Sequence, residues 1–234
     1  MKPIVCCLMF IALGQQARAE TIQKTAKIGG MTVNYKVVLP RGYDAARAYP
    51  TVLAFAGGGQ TMNVVDSTLD LNWRAEAERR GYIIVSPAAP NDQLFFQGGD
   101  RIFPAFLDQI LRDYKVESGK LHLAGRSNGG ISAFHIGALY PQYFRSLTGF
   151  PGYLPEETDA KIAGLKPLCI FMHVGELDTG WLTEMRQQSE VFRKKGLNVR
   201  FTVEKGQEHA LATLTGAGSK RLFDQLEEAA KGCK

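Results

Sequence analysis

The chain has 234 residues, of which 45% are hydrophobic, and a formal net charge of +5 at pH 7. Its basic residues are scattered and no basic stripe is interleaved with aromatic residues, so the composition argues against nucleic acid as a partner. The four cysteines and four histidines show no spacing typical of metal ligands, so we expect no metal site and no cofactor.

The first 19 residues have the pattern of a secretory signal peptide. Lys2 precedes an apolar run over residues 4–13, and small residues at positions 17 and 19 form a cleavage site before Glu20. A membrane span needs about twenty apolar residues, so an uncleaved anchor is the weaker alternative and we expect no membrane span. Cleavage would leave residues 20–234, a length that fits a single domain, in a secreted or periplasmic protein.

The rest of the chain alternates between patterns typical of strands and of helices. Residues 21–40 alternate apolar and polar side chains around Gly29-Gly30, which predicts an antiparallel strand pair at a sheet edge. Later apolar runs predict strands over residues 51–55, 82–88, 121–124, 146–150, 168–174 and 198–204. Helical periodicity is present over residues 68–80, 101–114, 130–140, 181–195 and 219–231. Such alternation predicts a parallel sheet with helices on both faces.

The stretch LHLAGRSNGG, residues 121–130, combines an apolar strand, a tight turn and the start of a helix. GxSxG at such a junction is the pattern of a nucleophile elbow, in which a strained turn holds a serine hydroxyl above the sheet edge. The pentapeptide alone is a weak signal, because an ordinary glycine-rich loop has the same composition. The strand before it and the helix after it favour Ser127 as a nucleophile.

A serine hydroxyl needs a general base that is itself oriented by a carboxylate. His209 follows the last predicted strand in a loop, where its side chain can reach the carboxyl edge of the sheet, so we predict that it is the base. The loop after the preceding strand offers Asp178 as the acid and Glu176 as its rival. An Asp that merely caps the following helix is the other interpretation of Asp178. The remaining histidines lie within predicted strands or a helix and are interpreted as structural: His122, His135 and His173.

The motifs GRSNGG, HVGELD and GQEH, in the order Ser, Asp, His, together with FAGGG after an early strand, resemble those of the α/β-hydrolase fold. The resemblance covers essentially all of residues 20–234. The elbow region also resembles that of secreted esterases related to polyhydroxybutyrate depolymerases and feruloyl esterases. This resemblance implies a mostly parallel eight-stranded sheet with helices on both faces, and a catalytic triad of Ser127, His209 and Asp178.

The resemblance also implies an oxyanion hole formed by the amide of Asn128 and one amide from Gly57 or Gly58. Ala56 stands where the family usually has a histidine before the glycines, so which glycine donates stays open. Arg126, directly before the serine, is interpreted in two ways. It favours an anionic or polar group on the substrate, or it is a solvated or ion-paired arginine.

We therefore predict a secreted serine hydrolase that cleaves carboxylic esters through an acyl-enzyme. A serine peptidase of the prolyl oligopeptidase type is the alternative enzyme. A catalytically inactive binding protein with the hydrolase fold is the alternative from a different class. The expected partner is a small-molecule or polymer ester, and the oligomeric state stays open.

The segment between residues 150 and 168, where hydrolases of this fold commonly insert a lid, is short and polar. It is too short for a substantial apolar cap, so we expect little or no lid and an open site. Such a site suits short or aromatic acyl groups better than long chains. Four rings on loops at the carboxyl edge are the candidates for the pocket lining, Phe95, Phe96, Tyr153 and Trp181. Some of them are alternatively core residues, and we expect about two of the four to line the pocket.

Two cysteines follow the predicted cleavage site, Cys169 and Cys233. In a parallel sheet the last helix runs back against the strand direction, so its end approaches the start of the strand that carries Cys169. We predict a disulfide between them, which the oxidising compartment of an exported protein permits. The alternative is that Cys169 is a small buried hydrophobic residue and that Cys233 lies at a frayed terminus.

Overall fold

The computed structural model describes residues 20–233, so the predicted signal peptide over residues 1–19 lies outside the described residues. Eight strands form a single open sheet. They are β1 (Glu20–Ile28), β2 (Met31–Leu39), β3 (Thr51–Phe55), β4 (Ile83–Pro87), β5 (Leu121–Gly125), β6 (Phe144–Gly149), β7 (Cys169–Gly175) and β8 (Val199–Glu204). Within the described range, no helix is long and apolar enough to cross a membrane.

The strands lie in the order β1-β2-β4-β3-β5-β6-β7-β8. The first two form an antiparallel hairpin, and β2 also pairs antiparallel with β4. The hairpin turns at Gly29 and Gly30, whose φ angles of 56° and 79° are the positive values that a two-residue turn of this kind requires. All pairs from β4 to β8 are parallel. The predicted edge hairpin and mostly parallel sheet are confirmed.

Helices cover both faces of this sheet, as predicted. The α-helices are α1 (Met62–Thr68), α2 (Arg74–Arg80), α3 (Ala105–Asp113), α4 (Asn128–Leu139), α5 (Asp159–Leu165), α6 (Thr179–Lys194) and α7 (Lys220–Ala230). A π-helical segment, Leu69–Trp73, joins α1 to α2 without a break. The helix predicted over residues 68–80 therefore begins six residues earlier, at Met62. The helix predicted over residues 101–114 is shorter, because a separate 3-10 turn, Gly99–Ile102, precedes it.

Alternate side chains of each central strand enter two separate hydrophobic layers. In β3, Leu53 and Phe55 join a cluster with residues of α3, α4, α5 and α6. Val52 and Ala54 point to the opposite face and join a cluster with residues of α1, the π-helical segment, α2 and α7. Burying one such side chain fully stabilises the fold by about 1.5–3 kcal/mol. The two layers hold the central strands rigidly from both sides.

The segment between β6 and β7 forms only the seven-residue helix α5. Its Ile162 and Leu165 are buried in the core. A Cβ added to Gly164 would lie 2.4 Å from the carbonyl oxygen of Ala138, so α5 packs against the last turn of α4. Ser127 lies at the other end of α4, so α5 forms no lid above it.

A disulfide joins Cys169 at the start of β7 to Cys233 just beyond α7, with 5.4 Å between the two Cα atoms. The predicted bridge is therefore present. Cys169 is also buried against Phe171 and Ala229, so the bridge fastens the end of α7 to the sheet.

Candidate active site

Ser127 lies in the tight turn between β5 and α4. Its backbone angles, φ 57° and ψ −124°, fall in a region that side chains normally avoid, so the turn has to be held by its surroundings. The Ser127 amide donates to the carbonyl of Pro151 at 2.8 Å, and the Ser127 carbonyl accepts from the Ile131 amide at 3.0 Å. These bonds hold the strained turn, from which the hydroxyl projects beyond the end of β5.

Two glycines allow α4 to pack closely against the ends of β5 and β3 at this turn. A Cβ on Gly125 would lie 2.0 Å from the carbonyl oxygen of Gly129, and a Cβ on Gly129 would lie 2.3 Å from that of Phe55. Both contacts are with backbone atoms, which cannot move aside as a flexible side chain can. The predicted elbow therefore depends on glycine at both positions.

His209 connects Ser127 to Asp178 by hydrogen bonds. Its Nδ1 lies 2.7 Å from Asp178 Oδ2, and its Nε2 lies 2.8 Å from Ser127 Oγ. In the tautomer whose Nδ1–H donates to Asp178, Nε2 carries no proton and accepts a hydrogen bond from the serine hydroxyl. The Asp178 side chain is 14% exposed, whereas that of His209 is 40% exposed. The arrangement can take a proton from the hydroxyl of Ser127, a half-buried residue.

Glu176, the rival acid, has a different contact. Its Oε2 accepts from the amide of Gly206 at 2.8 Å. This bond ties the loop after β7 to the loop after β8, so the carboxylate of Glu176 is engaged with main chain. Asp178, in contrast, directly precedes α6 without capping it, because its side chain makes no capping hydrogen bond to the helix amides.

The other three histidines each have a separate partner. His122 is 1% exposed and lies 2.7 Å from Ser146 Oγ through Nδ1. Burial, together with the nearby charge of Arg145, lowers the pKa of His122 to about 3. The remaining two bond carboxylates away from Ser127, in the pairs His135 with Asp100 and His173 with Glu204.

The amides expected to form an oxyanion hole lie beside the elbow. Asn128 is the first residue of α4, where a backbone N–H has no partner within the helix. A Cβ on Gly57 would lie 3.4 Å from the Ser127 Cβ, so the glycine loop after β3 directly adjoins the serine. The side-chain amide of Asn128 donates to the carbonyl of Gly58 at 2.9 Å and fixes the distance between the two segments.

Gln60 holds this glycine loop in place, although nothing in the sequence pattern singled it out. Its side chain is fully buried, donates to Ser132 Oγ at 2.9 Å and accepts from the Phe95 amide at 3.1 Å. The backbone amide of Gln60 donates to the carbonyl of Gly57 at 3.0 Å. Gln60 thereby supports a loop in which Ala56 stands where a histidine was expected.

Two aromatic rings lie in a row beside the imidazole of His209. Trp181 packs edge-on against His209 and against Tyr153, with 5.0 Å between ring centroids in each case. Together with Gly180 and Glu184, they line an open depression of about 300 Å³. Burial and the nearby Glu184 raise the pKa of Tyr153 above its ordinary value, so its hydroxyl stays protonated at neutral pH.

Solved structures of similar fold include a ferulic acid esterase, with a TM-score of 0.67 at 18% identity over 92% of this chain and 98% of that one. A ferulic acid esterase from Anaeromyces mucronatus gives a TM-score of 0.70 at 17% identity over 89% of each chain. The chain has the α/β-hydrolase fold. A putative dipeptidyl aminopeptidase IV from Bacteroides ovatus shares this fold, with a TM-score of 0.67 at 14% identity over 92% of this chain and 36% of that one.

Identities this low show a shared α/β-hydrolase fold and not a shared reaction. No protein-family model matches the sequence, and comparison with curated proteins gives no match. In this hydrolase fold the candidate residues come from three parallel strands. Ser127 follows β5, Asp178 follows β7 and His209 follows β8. All three lie at the carboxyl edge of the sheet, where ligands bind in open α/β sheets.

Phe95, one of the four candidate rings for the pocket lining, does not line the pocket, and its predicted position is corrected. It is fully buried and packs against Phe55 and Phe103, with ring centroids 4.8 Å and 5.8 Å away. Its ring therefore belongs to the core, where it fills the space between β3 and the start of α3. Phe96 is half-buried, and only Tyr153 and Trp181 line the depression beside His209.

Arg126 differs from the other half-buried arginines of this hydrolase fold. Arg74 and Arg80 pair with carboxylates, and Arg145 bonds a backbone carbonyl. Over residues 20–233, the side chain of Arg126 makes no hydrogen bond, ion pair or ring contact. The interpretation of Arg126 as ion-paired is therefore wrong, which leaves a solvated arginine or one that faces the substrate.

Residues 20–233 contain no group of three His, Cys, Asp or Glu residues that could hold a metal ion.

Proposed function

We propose that this protein is an exported serine hydrolase that cleaves carboxylic esters, with Ser127 as nucleophile, His209 as general base and Asp178 as the orienting acid. The observation that carries the proposal is the unbroken hydrogen-bond relay from Asp178 through His209 to a serine in a strained elbow. A strained backbone at a solvent-accessible polar cluster is a feature of functional sites. The relay is complete, whereas an inactive binding protein would be expected to have a damaged one.

The proposed reaction has two halves. Ser127 Oγ attacks the ester carbonyl carbon while its proton moves to His209 Nε2, and Asp178 stabilises the imidazolium that forms. The amides of Asn128 and of Gly57 or Gly58 donate to the carbonyl oxygen as it becomes negative. His209 then gives the proton to the departing alkoxide, which leaves as the alcohol. Water, deprotonated by the same ring, attacks the acyl-enzyme, and the ring returns this proton to Ser127 Oγ as the acid is released.

The open site supports short-chain or aromatic acyl esters as substrates, including esters linked to a polymer. Each buried methylene gains about 0.8 kcal/mol, but the shallow depression beside His209 offers no tunnel for a long chain. The rings of Tyr153 and Trp181 provide a surface on which a planar acyl group can stack. Ferulic acid esterases are among the proteins that share this fold, in agreement with an aromatic acyl group.

We also propose that residues 20–234 act as one domain outside the cytoplasm. Two observations support export. The leader pattern over residues 1–19 is typical of secretion, and a disulfide such as that between Cys169 and Cys233 persists in oxidising compartments. Periplasm and extracellular space are equally compatible with both.

The proposal is tested by labelling and by a substrate panel. A fluorophosphonate should label the wild type once, at Ser127, and leave Ser127→Ala unlabelled. On chromogenic esters, the wild type should hydrolyse acetyl to butyryl and hydroxycinnamoyl esters much faster than palmitoyl esters, without activation at a lipid interface.

An aminoacyl anilide in the same panel represents the peptidase alternative. Faster cleavage of the anilide than of every ester would replace the esterase assignment by a peptidase. Labelling at another residue would overturn the nucleophile, and a preference for acyl chains above about ten carbons would overturn the open-site argument.

A further inference from the structure

His209 lies on a loop whose position is controlled at both ends. We call residues 205–212 the base loop; it runs from the end of β8 to the 3-10 turn Ala212–Leu214. Catalysis by a base requires that its nitrogen stay within hydrogen-bond reach of the hydroxyl. Loops have few internal contacts, so this one needs an anchor in the rigid part of the fold.

Glu204, the last residue of β8, provides such an anchor at the base of the loop. Its residue exposure is 5%. Arg221 of α7 donates to both carboxylate oxygens, at 2.8 Å and 2.9 Å. His173 Nδ1 lies 3.0 Å from Oε1, and the Thr213 hydroxyl donates to Oε2 at 2.9 Å. We call these four residues the Glu204 cluster.

Burying a carboxylate is costly unless donors replace its water. Burial alone raises the pKa of Glu204, but the hydrogen bonds from His173, Arg221 and Thr213 outweigh it and hold this pKa well below the ordinary value. The group therefore stays ionised at neutral pH. An ionised acceptor with several charge-assisted donors fixes geometry more strictly than a neutral pair does.

The Glu204 cluster holds the two ends of the base loop together. Glu204 is the residue directly before the loop and Thr213 is the residue directly after it, so their hydrogen bond joins the two ends. A second bond, from the Thr213 amide to Gln207 Oε1 at 3.3 Å, lies inside the same closure. Leu177, next to Asp178, donates its amide to the carbonyl of Gln207 at 2.9 Å. The loops of the acid and of the base therefore share one support.

We propose that the Glu204 cluster is a positioning device for the base, in which the bond from Thr213 to Glu204 keeps His209 Nε2 aligned with Ser127 Oγ. This inference rests on the proposed function, because it assigns His209 the role of base. Thr213 and Glu204 act through the loop and touch neither the substrate nor the reacting atoms.

The obvious variant, Glu204→Gln, removes the buried negative charge that pairs with Arg221 and can fail to fold. Thr213→Val is the sharper variant, because it keeps the shape of the side chain and leaves the ion pair of Glu204 and Arg221 intact. Thr213→Ser restores the hydroxyl. Thr215→Val is the matched control, since Thr215 lies two residues away and its hydroxyl bonds the carbonyl of Ala212 rather than Glu204.

In the full chain, Thr213→Val should lower kcat by about 10- to 100-fold, because a misplacement of about 1 Å costs a reacting group about 10²-fold. KM should change less than about twofold, since the substrate surface is untouched. Thr213→Ser and Thr215→Val should both stay within about threefold of wild-type kcat. A merely structural role would lower the melting temperature of Thr213→Val while leaving kcat of the folded protein unchanged.

A readout independent of turnover separates this inference from the proposed function. The imidazole proton shared by His209 and Asp178 should give a downfield proton NMR resonance, assigned by its loss in His209→Gln. The resonance should be retained in Thr213→Ser and Thr215→Val, and shifted or broadened in Thr213→Val. An unchanged resonance and kcat in Thr213→Val, or equal losses in Thr215→Val, would overturn the positioning role. The wild type could instead fail to react with the fluorophosphonate and fail to hydrolyse esters, while its NMR resonance still responds to the variants as described. That result would refute the esterase reaction but not the positioning role.

Discussion

At the scale of single residues, two carboxylates close together in the chain have separable roles. Asp178→Asn should lower kcat by about 10⁴-fold, because an amide cannot hold the imidazole in the tautomer that accepts the serine proton. Glu176→Gln should stay within a few-fold of wild type, since an amide oxygen can still accept from the Gly206 amide. Steady-state kinetics on a short-chain ester measures both variants. If Glu176→Gln is the more damaging change, the acid has been assigned to the wrong residue.

The sequence predicts the three residues of the hydrogen-bond relay, but not the residues that hold them in position. Ser127 is predicted from its GxSxG motif between a strand and a helix, whereas Asp178 and His209 are predicted because each follows a strand and parallel strands end at the same edge of the sheet. Gln60 and Thr213 were missed, because neither lies in a motif and both act through partners that are distant in the chain or reached by a loop. Phe95 was misplaced for the same reason, since the direction of a loop ring is decided by long-range packing.

At the scale of elements, the strand boundaries were predictable to within about two residues, but the starts of two helices, at Met62 and Ala105, were not. Val65, Leu69, Trp73 and Ala77 are all buried in the same layer, although residues four apart drift by about 40° at each step in a regular α-helix. A π-helical turn holds more residues, and the segment Leu69–Trp73 reduces this drift. The π-helical segment therefore keeps the buried side chains of α1 and α2 on one face of a continuous helix.

Close contact between the end of β7 and the base loop gives a prediction about elements. A Cβ on Gly175 would lie 2.4 Å from the carbonyl oxygens of Gln207 and Glu208, so Gly175→Ala must push the base loop outward. We expect a loss of about 1–3 kcal/mol in the free energy of unfolding, measured by urea titration, and a fall in kcat. Gly180→Ala is the control, because nothing lies within 4 Å of its added Cβ and alanine favours the helix. Equal stability of the two variants would contradict this account of the contact.

At the scale of the whole molecule, His122 should make stability depend on pH. Its pKa is about 3 in the folded state and about 6.5 when unfolded, so the unfolded chain binds the extra proton first. The contribution of neutral, buried His122 to the free energy of unfolding is complete above about pH 6.5 and is lost as the pH falls toward 3. Between pH 6 and 4.5 the loss should be about 2 kcal/mol in the free energy of unfolding. Urea titrations at these two pH values should show a smaller loss in His122→Gln, and an equal loss in that variant would refute the assignment.

The architecture of the whole molecule was predictable because alternating strands and helices admit few arrangements. Buried runs such as residues 51–55 and 168–174 indicated parallel strands, and the glycine pair at residues 29 and 30 indicated the edge hairpin. The order of strands in space was not predicted. It depends on which helix packs on which face, and the apolar pattern of a single helix does not specify its face of the sheet.

The bridge between Cys169 and Cys233, which are separated by 64 in sequence, encloses Asp178 and His209 in one covalent ring and leaves Ser127 outside. A protease that cuts one peptide bond within this ring cannot release a fragment, because both new ends stay attached through the sulfur atoms. Without reductant, nicked and intact molecules would therefore run together on a denaturing gel, whereas reductant would separate the pieces. The bridge thus keeps the acid and base that we propose on one molecule even after a cut in an exposed loop.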